Sequence, residues 1–321
     1  MEPNASLIDA IAITEPRKAS LYFDIKRNTL DDGPGIRSVV FFKGCPLSCT
    51  WCQNPESINT GYELSFDAEK CIGCKDCGDA CPEQAIDFSS PDKIIRDKCT
   101  QCFKCVEVCP SGALERCGND IDMDRLVDKV LEDEAFFEAS GGGVTVSGGE
   151  ALMQMESVGE LFARLKEKDV HTLIQTAGLF NYKTFESLVL PYTDTIYYDL
   201  KLIDSDAHKQ YCGVPNRSII ENFKKVQALA LESVIEVLPR VPLVPFITDT
   251  DENLNGIADL MHENGVTKMQ ILPYIWLDKL PRFGGVQRLD FGERTGKFMP
   301  DVEIERCTAI FESRGIHVHC H

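Results

Sequence analysis

The sequence predicts an α/β fold in which a parallel sheet forms an incomplete (β/α)6 barrel, interrupted by a small cysteine-rich insert. Three observations support this class: short apolar segments alternate with amphipathic segments, six such units follow one another, and residues 66–117 depart from the pattern. Alternating β and α units are typical of a parallel sheet covered by helices. About 270 residues lie outside the insert, near the ~250 of a complete barrel. Six units alone also allow an open, doubly wound sheet.

The predicted strands are short and rich in β-branched and aromatic residues, as expected of strands buried on both faces. They cover residues 38–43, 143–146, 172–175, 195–200, 235–241 and 268–272. The predicted helices have apolar residues at helical spacing, and Gly-containing stops follow two of them. They cover residues 122–137, 155–166, 182–190, 219–231, 252–262 and 302–313. We therefore assign residues 1–65 and 118–321 to the partial barrel and residues 66–117 to the insert.

Charge and cysteine content exclude several classes of protein. The chain has 33 Lys+Arg and 51 Asp+Glu, a net charge of −18, which a phosphate backbone would repel, so we expect no nucleic-acid partner. No apolar run approaches the ~20 residues that cross a bilayer. Residues 1–20 contain no signal-peptide core, which favours a cytoplasmic protein without a membrane partner. Fifteen cysteines in such a compartment indicate metal binding or redox chemistry rather than disulfides.

Three cysteines follow the first predicted strand with C-x3-C-x2-C spacing. Cys45, Cys49 and Cys52 lie in the run GCPLSCTWC at 44–52, in a loop at the carboxyl end of a strand, where β/α barrels place their chemistry. Thiolate-rich loops favour zinc or iron–sulfur clusters. A structural zinc site uses four ligands, so three indicate an open coordination position. The spacing alone leaves three interpretations: a three-cysteine cluster, an incomplete zinc site, or unligated thiols.

Two further cysteine groups share the spacing C-x2-C-x2-C-x3-C-P, at 71–82 and 99–110. This is the run of bacterial ferredoxins, in which the fourth cysteine ligates the other cluster. The insert therefore resembles a ferredoxin-like α+β domain with two [4Fe–4S] clusters. One cluster is expected on Cys71, Cys74, Cys77 and Cys109, and the other on Cys99, Cys102, Cys105 and Cys81.

Three motifs in order resemble the activating enzymes of glycyl radical enzymes, within the radical S-adenosylmethionine (SAM) superfamily. They are DGPGIR at 32–37, GCPLSCTWCQNPE at 44–56 and SGGGVTVSGGE at 140–150. The resemblance covers nearly the whole chain from about residue 21. It also implies that the 32–37 motif lines the site and meets a protein partner.

The resemblance implies a function. Cys45, Cys49 and Cys52 would bind a [4Fe–4S] cluster whose fourth iron is left to the amino and carboxylate groups of SAM. Reductive cleavage of SAM would give methionine and a 5′-deoxyadenosyl radical, which abstracts a Cα hydrogen from a glycine of the partner. With the insert, the cofactors would be three [4Fe–4S] clusters and SAM. The partners would be a glycyl radical enzyme and an electron donor such as flavodoxin or ferredoxin, with the chain itself a monomer.

The resemblance also implies which residues hold SAM. Ser147, Gly148, Gly149 and Glu150 would hold the methionine amino group, with the Glu150 carboxylate helping to neutralise it.

A second set of residues would contact other parts of SAM or shield the cluster. Asp199, Leu200 and Lys201 match a motif that contacts SAM, and Lys201 would pair with the methionine carboxylate. Arg240 matches a strand arginine near SAM. A buried arginine is costly without an anionic partner, and the alternative is a local salt bridge. Trp51 would shield the cluster, and Gln53 would help to position adenine.

At two places the sequence departs from the family pattern, so the residue roles known for the family are not assigned there. The Leu-Pro-Tyr-His element near the nucleoside reads LPYI at 272–275, so the histidine role has no residue here. A stretch near a cation site in related activators reads QTAG at 175–178. Because Gln175 replaces a carboxylate, a bound alkali cation is not expected.

Alternatives remain open at this level. A ferredoxin-type electron-transfer protein with an appended domain would have no use for the 44–52 loop or the SGGE run. A radical SAM enzyme acting on another substrate would keep both. The sequence does not separate an electron-relay role of the insert from a structural or partner-docking role.

Overall fold

The computed structural model describes residues 20–275 and 298–320. Residues 1–19, which make up nearly all of the segment without a signal-peptide core, lie outside the described residues, as do 276–297 and His321. In the two described ranges, no helix has the length and apolar character needed to cross a membrane.

A long sheet forms the centre of the molecule. Its strands follow the order β11-β10-β9-β8-β7-β6-β2-β1-β5, and β3 and β4 form a separate two-stranded sheet. The strands are β1 Leu21–Thr29, β2 Arg37–Phe42, β3 Glu63–Phe66, β4 Leu114–Cys117, β5 Asn119–Asp120, β6 Gly143–Gly148, β7 His171–Thr176, β8 Thr195–Asp199, β9 Glu236–Leu243, β10 Lys268–Pro273 and β11 His317–Cys320. From β2 to β11 every neighbouring pair is parallel, whereas β1 and β5 are antiparallel additions.

The strand order decides between the two predicted architectures. Each parallel strand after β2 is added on the same side of the one before it. Since crossover connections are right-handed, one direction of winding puts the connecting helices on one face, as in a barrel, whereas a doubly wound sheet reverses direction. The α/β class and the parallel sheet are confirmed, and β11 adds a seventh parallel strand to the six predicted ones.

Helices cover one face of this sheet. They are α3 Met123–Leu131, α4 Glu134–Ser140, α5 Met155–Lys166, α6 Tyr182–Leu188, α8 Arg217–Leu231, α9 Asp251–Glu263 and α10 Asp301–Glu312. α7 Ser205–Cys212 packs at the 44–52 loop instead, and α1 Asp76–Ala80 and α2 Lys104–Glu107 belong to the insert. Short 3₁₀ helices cover Pro55–Ser57, Ala151–Gln154 and Leu190–Tyr192. Buried side chains of the strands and of α3, α5, α6, α8, α9 and α10 form one hydrophobic core.

The two faces of the sheet differ in polarity. Alternate side chains, such as Val146 and Ile174, belong to the core. Their neighbours Ser147, Gln175 and Asp199 make polar contacts instead. Because side chains alternate along a strand, the face opposite the helices is polar near the carboxyl ends of the strands.

One predicted element is wrong. The single helix expected over 122–137 is two helices, α3 and α4, because the chain turns at Asp133. Its fully buried carboxylate accepts hydrogen bonds from Arg27 and Ser38 on the first two strands. Periodicity alone could not locate this turn, since it depends on partners about 100 residues away in the chain.

The insert has its own small core. Strands β3 and β4 pair antiparallel from Glu63 to Phe66, so its ordered structure begins three residues before the predicted boundary. Its buried side chains are Leu64, Phe66, Ile94, Cys105, Ala113 and Leu114. As expected from the sequence, the helices α1 and α2 are short.

Candidate functional site

The loop with Cys45, Cys49 and Cys52 is held by backbone hydrogen bonds. The Gly44 N–H donates to the Ser57 carbonyl at 2.6 Å, and the Ser48 N–H donates to the Cys212 carbonyl at 2.9 Å. The loop is therefore fixed against the segment that follows it and against the end of α7.

The three thiols are partly buried beside a small apolar cluster. This cluster consists of Leu47, Trp51, Leu202, Cys212 and Val244, with Cys45 and Cys49 packed against it. Trp51 is only 7 % exposed, and its role in shielding a cluster stays a prediction.

The thiols differ in electrostatic setting. Burial raises the pKa of Cys45 to about 12 and that of Cys52 to about 11. A hydrogen bond from the Cys212 thiol lowers the pKa of Cys49. Since the thiolate is the metal ligand, metal binding would release protons mainly from Cys45 and Cys52. Cys212 was not predicted as a site residue, and no local motif marks it.

The glycine-rich loop packs directly on the cysteine loop. The Glu150 N–H donates to the Gly44 carbonyl at 2.8 Å. Gly148 has a φ of +108°, and a Cβ on Gly149 would lie 2.3 Å from the Gly44 carbonyl oxygen. The glycines therefore permit close contact between two predicted motifs, whereas the sequence suggested an approach to a ligand.

The Glu150 carboxylate is fully buried. It accepts hydrogen bonds from the Thr176 hydroxyl at 2.9 Å, from the Ala177 N–H at 2.8 Å and from the Leu152 N–H at 3.2 Å. Burial raises its pKa to about 7. These contacts tie the end of β6 to the end of β7, and its action on the methionine amino group stays a prediction.

Asp199 bridges two predicted cofactor residues. Its carboxylate accepts hydrogen bonds from Arg240 Nε at 2.8 Å and from Lys201 Nζ at 3.1 Å. Burial opposes its charge, but the two cations lower the pKa of Asp199. Burial likewise opposes the charge of Lys201, yet Asp199 and Cys49 raise its pKa. Within this group of three side chains, two cations face one carboxylate, so a cation is available to pair with an anionic group.

The local salt bridge that the sequence left open for Arg240 is present, and its partner is another predicted site residue. Leu200 differs from its neighbours because its side chain lies in the hydrophobic core. Its N–H donates to the Arg240 carbonyl at 2.9 Å.

Gln175 connects two motifs that are distant in the sequence. Its Oε1 accepts from the Ser147 hydroxyl at 2.7 Å, and its Nε2 donates to Asp32 Oδ1 at 3.1 Å. The Thr145 hydroxyl donates to the Asp32 carbonyl at 2.8 Å. The 32–37 motif is thereby joined to the glycine-rich loop by an amide, at the position where the sequence argued against a cation.

Gln53 meets the altered LPYI element. Its Nε2 donates to the Ile275 carbonyl at 3.0 Å. Tyr274, from the same element, packs against the apolar cluster beside the cysteine loop. The strand end that lacks the family histidine thus adjoins the residue predicted to position adenine.

The insert presents two cavities lined by cysteines. The first is lined by Phe66, Lys93 and four cysteines, which are Cys71, Cys74, Cys77 and Cys109. The second is lined by Leu64, Phe103 and the other four cysteines, which are Cys81, Cys99, Cys102 and Cys105. The two sets match the crossed partition expected from the spacing, and each offers the four thiolates that a [4Fe–4S] cluster takes. Lys93 Nζ donates to Cys71 Sγ at 3.0 Å and lowers the pKa of that thiol.

Across residues 20–275 and 298–320, no three His, Cys, Asp or Glu side chains converge on a point that would hold a single ion. An iron–sulfur cluster does not need such convergence, because each thiolate binds a different iron.

Known proteins resemble this chain in sequence and in structure. The 4Fe-4S dicluster domain family matches residues 63–110. The chain is 33% identical over 308 residues to the (2S)-3-sulfopropanediol dehydratase activating enzyme of Klebsiella oxytoca, covering 92% of this chain and 95% of that protein. It is 39% identical over 259 residues to the trans-4-hydroxy-L-proline dehydratase activating enzyme of Clostridioides difficile, covering 79% and 84%. A radical SAM methyltransferase from Sphaerobacter thermophilus shares the fold, with a TM-score of 0.52 at 14% identity over 99% of this chain and 82% of that one.

Proposed function

The chain belongs to the glycyl radical enzyme activating enzymes of the radical SAM superfamily, and from that premise we propose how its own residues perform the family's reaction. It is an oxidoreductase that uses SAM and iron–sulfur chemistry to generate a radical. The radical abstracts a hydrogen atom from a glycine of a partner enzyme.

Cys45, Cys49 and Cys52 ligate the catalytic iron–sulfur cluster in this proposal. The fixed loop backbone, the partly buried thiols and the lowered pKa of Cys49 support this role. A [4Fe–4S] cluster bound there would supply the electron that cleaves SAM to methionine and the 5′-deoxyadenosyl radical. The three cysteines would hold the cluster, and the buried Trp51 beside them would help to exclude solvent.

The residues around Asp199 orient SAM. Lys201 pairs with the methionine carboxylate, Arg240 adds a second positive charge, and Asp199 keeps both side chains in place. Ser147 and Glu150 hold the amino group at the glycine-rich loop, whose backbone lies against the cysteine loop. Gln53 positions the adenine beside Ile275.

One observation carries this assignment. Three segments that are far apart in the sequence, 44–52, 147–150 and 199–201, meet at one edge of the sheet. A backbone hydrogen bond from Glu150 to Gly44 joins the first two, and the pKa of Lys201 in the third responds to Cys49 in the first. An electron-transfer protein with an appended domain would not require this convergence.

The insert binds two further [4Fe–4S] clusters, which makes three in all. The shared cavities of its eight cysteines and the match to the dicluster domain family support this count. The electron comes from a small carrier such as flavodoxin or ferredoxin, and the chain acts as a monomer.

Replacing a loop cysteine tests the assignment. After anaerobic reconstitution and reduction by dithionite, we expect Cys49→Ala to form no 5′-deoxyadenosine, because the catalytic cluster loses a ligand. Cys320→Ala, on the exposed edge strand β11, serves as the matched control and keeps full cleavage. Undiminished 5′-deoxyadenosine from Cys49→Ala would refute the assignment.

A further inference from the structure

The two-stranded sheet of the insert has a barrel end and a far end. Glu63 pairs with Cys117 at one end, and Phe66 pairs with Leu114 at the other. Lys43, which directly follows β2, donates to Glu63 Oε2 at 2.8 Å and to Cys117 Sγ at 3.8 Å. Glu63 and Cys117 therefore mark the end of this sheet that joins the barrel. Lys43, the barrel residue at this junction, is two residues before Cys45.

The two cysteine cavities lie at different positions along this sheet. Leu64, next to the barrel end, lines the cavity of Cys81, Cys99, Cys102 and Cys105, which we call the proximal cavity. Phe66 and Leu114, at the far end, line the cavity of Cys71, Cys74, Cys77 and Cys109, which we call the distal cavity. At about 3.4 Å per residue, Leu64 and Phe66 are about 7 Å apart along the strand.

Packed side chains connect the proximal cavity to the cysteine loop. The Phe103 ring, which lines that cavity, meets the Tyr62 ring edge to face, with centroids 6.2 Å apart. Tyr62 and Lys43 meet at Gly118, where an added Cβ would lie 3.2 Å from each of them. The Lys43 side chain is buried, and its backbone leads through Gly44 into the loop.

The distal cavity opens toward solvent through apolar side chains. Ile72 and Phe88 line it and are 68 % and 42 % exposed. Each cavity has one exposed cysteine, Cys74 in the distal and Cys102 in the proximal. The exposure of the cysteines therefore does not show which cavity lies nearer the barrel. The direction of β3 does, because the strand runs from the barrel end to the far end.

We propose that the insert is an electron relay with a defined order, in which the cluster of the proximal cavity reduces the cluster of the 44–52 loop. The cluster of the distal cavity in turn reduces the proximal one, and a low-potential one-electron carrier reduces the distal one. Each step moves one electron, oxidises the donor cluster by one unit and reduces the acceptor by one unit, with no bond or proton transferred. The inference rests on the proposed function, since it requires both insert clusters and the catalytic one.

The two exposed cysteines provide a matched pair of variants, Cys102→Ala and Cys74→Ala. The readout is the electron paramagnetic resonance (EPR) signal of the reduced catalytic cluster, recognised because it changes when SAM is added. A reduced cluster nearby speeds the spin relaxation of that signal. We expect Cys102→Ala to abolish most of this enhancement and Cys74→Ala to leave most of it. The reverse result, or an enhancement unchanged in both variants, would overturn the order.

Iron content separates the possible failures. We expect about twelve irons per wild-type chain and about eight in each variant. A wild-type content of about four would contradict the count in the proposed function rather than the order. If either alanine variant also drops to about four, the insert has collapsed. Cys102→Ser and Cys74→Ser, which keep an oxygen ligand, then decide the order by the same EPR measurement.

Discussion

The 44–52 loop and the insert both carry clustered cysteines, but in opposite structural settings. The loop thiols are partly buried, beside a strand end and an apolar cluster that belongs to the barrel. Residues 66–117, the insert, are all described; none of its helices exceeds five residues, and two of its eight cysteines are exposed. The main sheet and its helices share one large hydrophobic core, whereas the insert has only a small core of its own.

This difference follows from what each region must do. A cluster that binds a substrate at one iron needs its neighbours held in place beforehand, which a large parallel sheet provides. A domain of about 50 residues rarely folds on its hydrophobic core alone, so under the proposed function the cluster-binding cysteines of the insert would also act as cross-links. We therefore expect changes near the loop to disturb catalysis, and comparable changes in the insert to disturb electron supply.

The largest contrast is expected from two glycines with similar backbones. Gly213 has a φ of +85°, and a Cβ there would lie 2.2 Å from Ser48 Oγ, inside the cysteine loop. Gly73 has a φ of +75°, with no atom within 4 Å of an added Cβ. Both alanine variants carry a left-handed backbone cost of about 1 kcal/mol, but only Gly213→Ala must also move the Ser48 side chain in the cysteine loop, at a further cost of about 1 kcal/mol.

We expect Gly213→Ala to lower the rate of 5′-deoxyadenosine formation with dithionite roughly tenfold or more. Gly73→Ala should retain most of the wild-type rate, because its added methyl group points into open space. Equal losses in the two variants would mean that the loop is not fixed by the end of α7 and would remove the contrast between the regions.

A smaller effect is expected from Gln175, whose hydrogen-bond partners Ser147 and Asp32 both lie in the barrel. Gln175→Leu removes the hydrogen bonds to Ser147 and Asp32, worth about 1 kcal/mol each. We expect SAM to bind roughly five- to thirtyfold more weakly, measured by equilibrium dialysis, while the EPR signals of the insert clusters stay unchanged. Unaltered SAM affinity would contradict the positioning role of Gln175.

Gln175→Glu sharpens the same point. It sets a second carboxylate against Asp32, and we expect SAM cleavage to become dependent on added potassium, because a cation can then replace the lost amide donor. Adding Asp32→Asn to this variant should remove the dependence. Potassium dependence in the wild type would show that the amide does not substitute for a cation.

The sequence predicts the parallel strands well because buried strands are continuous apolar runs. It misses β1, whose exposed side includes Lys26 and Asn28, and it misses the short α7. Both elements depend on tertiary partners rather than on a strong local pattern. The turn at Asp133 has the same cause, since its burial pairs it with another part of the chain.

The features of the candidate site likewise divide into those that sequence spacing predicts and those that depend on the tertiary fold. The crossed partition of the eight insert cysteines follows from spacing, because the ligands are close in sequence. The ion pairs of Asp199 with Arg240 and Lys201 required the sheet register, which puts Asp199 beside Arg240. The contact of Cys212 with Cys49 required the end of α7 to reach the loop, and no pairing rule indicates it.

The smallest effect is expected at the distal cavity. Lys93 donates to Cys71 Sγ at 3.0 Å, and both this hydrogen bond and the positive charge would stabilise the more negative, reduced form of a cluster bound by Cys71. Lys93→Met should therefore lower the reduction potential of one insert cluster by about 40 mV, equal to about 1 kcal/mol for one electron. Redox titration followed by EPR measures the shift, with Lys98→Met, an exposed lysine beside Cys99, as the charge-matched control. If Lys93→Met instead shifts the signal that responds to SAM, Cys71 belongs to the catalytic cluster and the division of the molecule into two cluster regions fails.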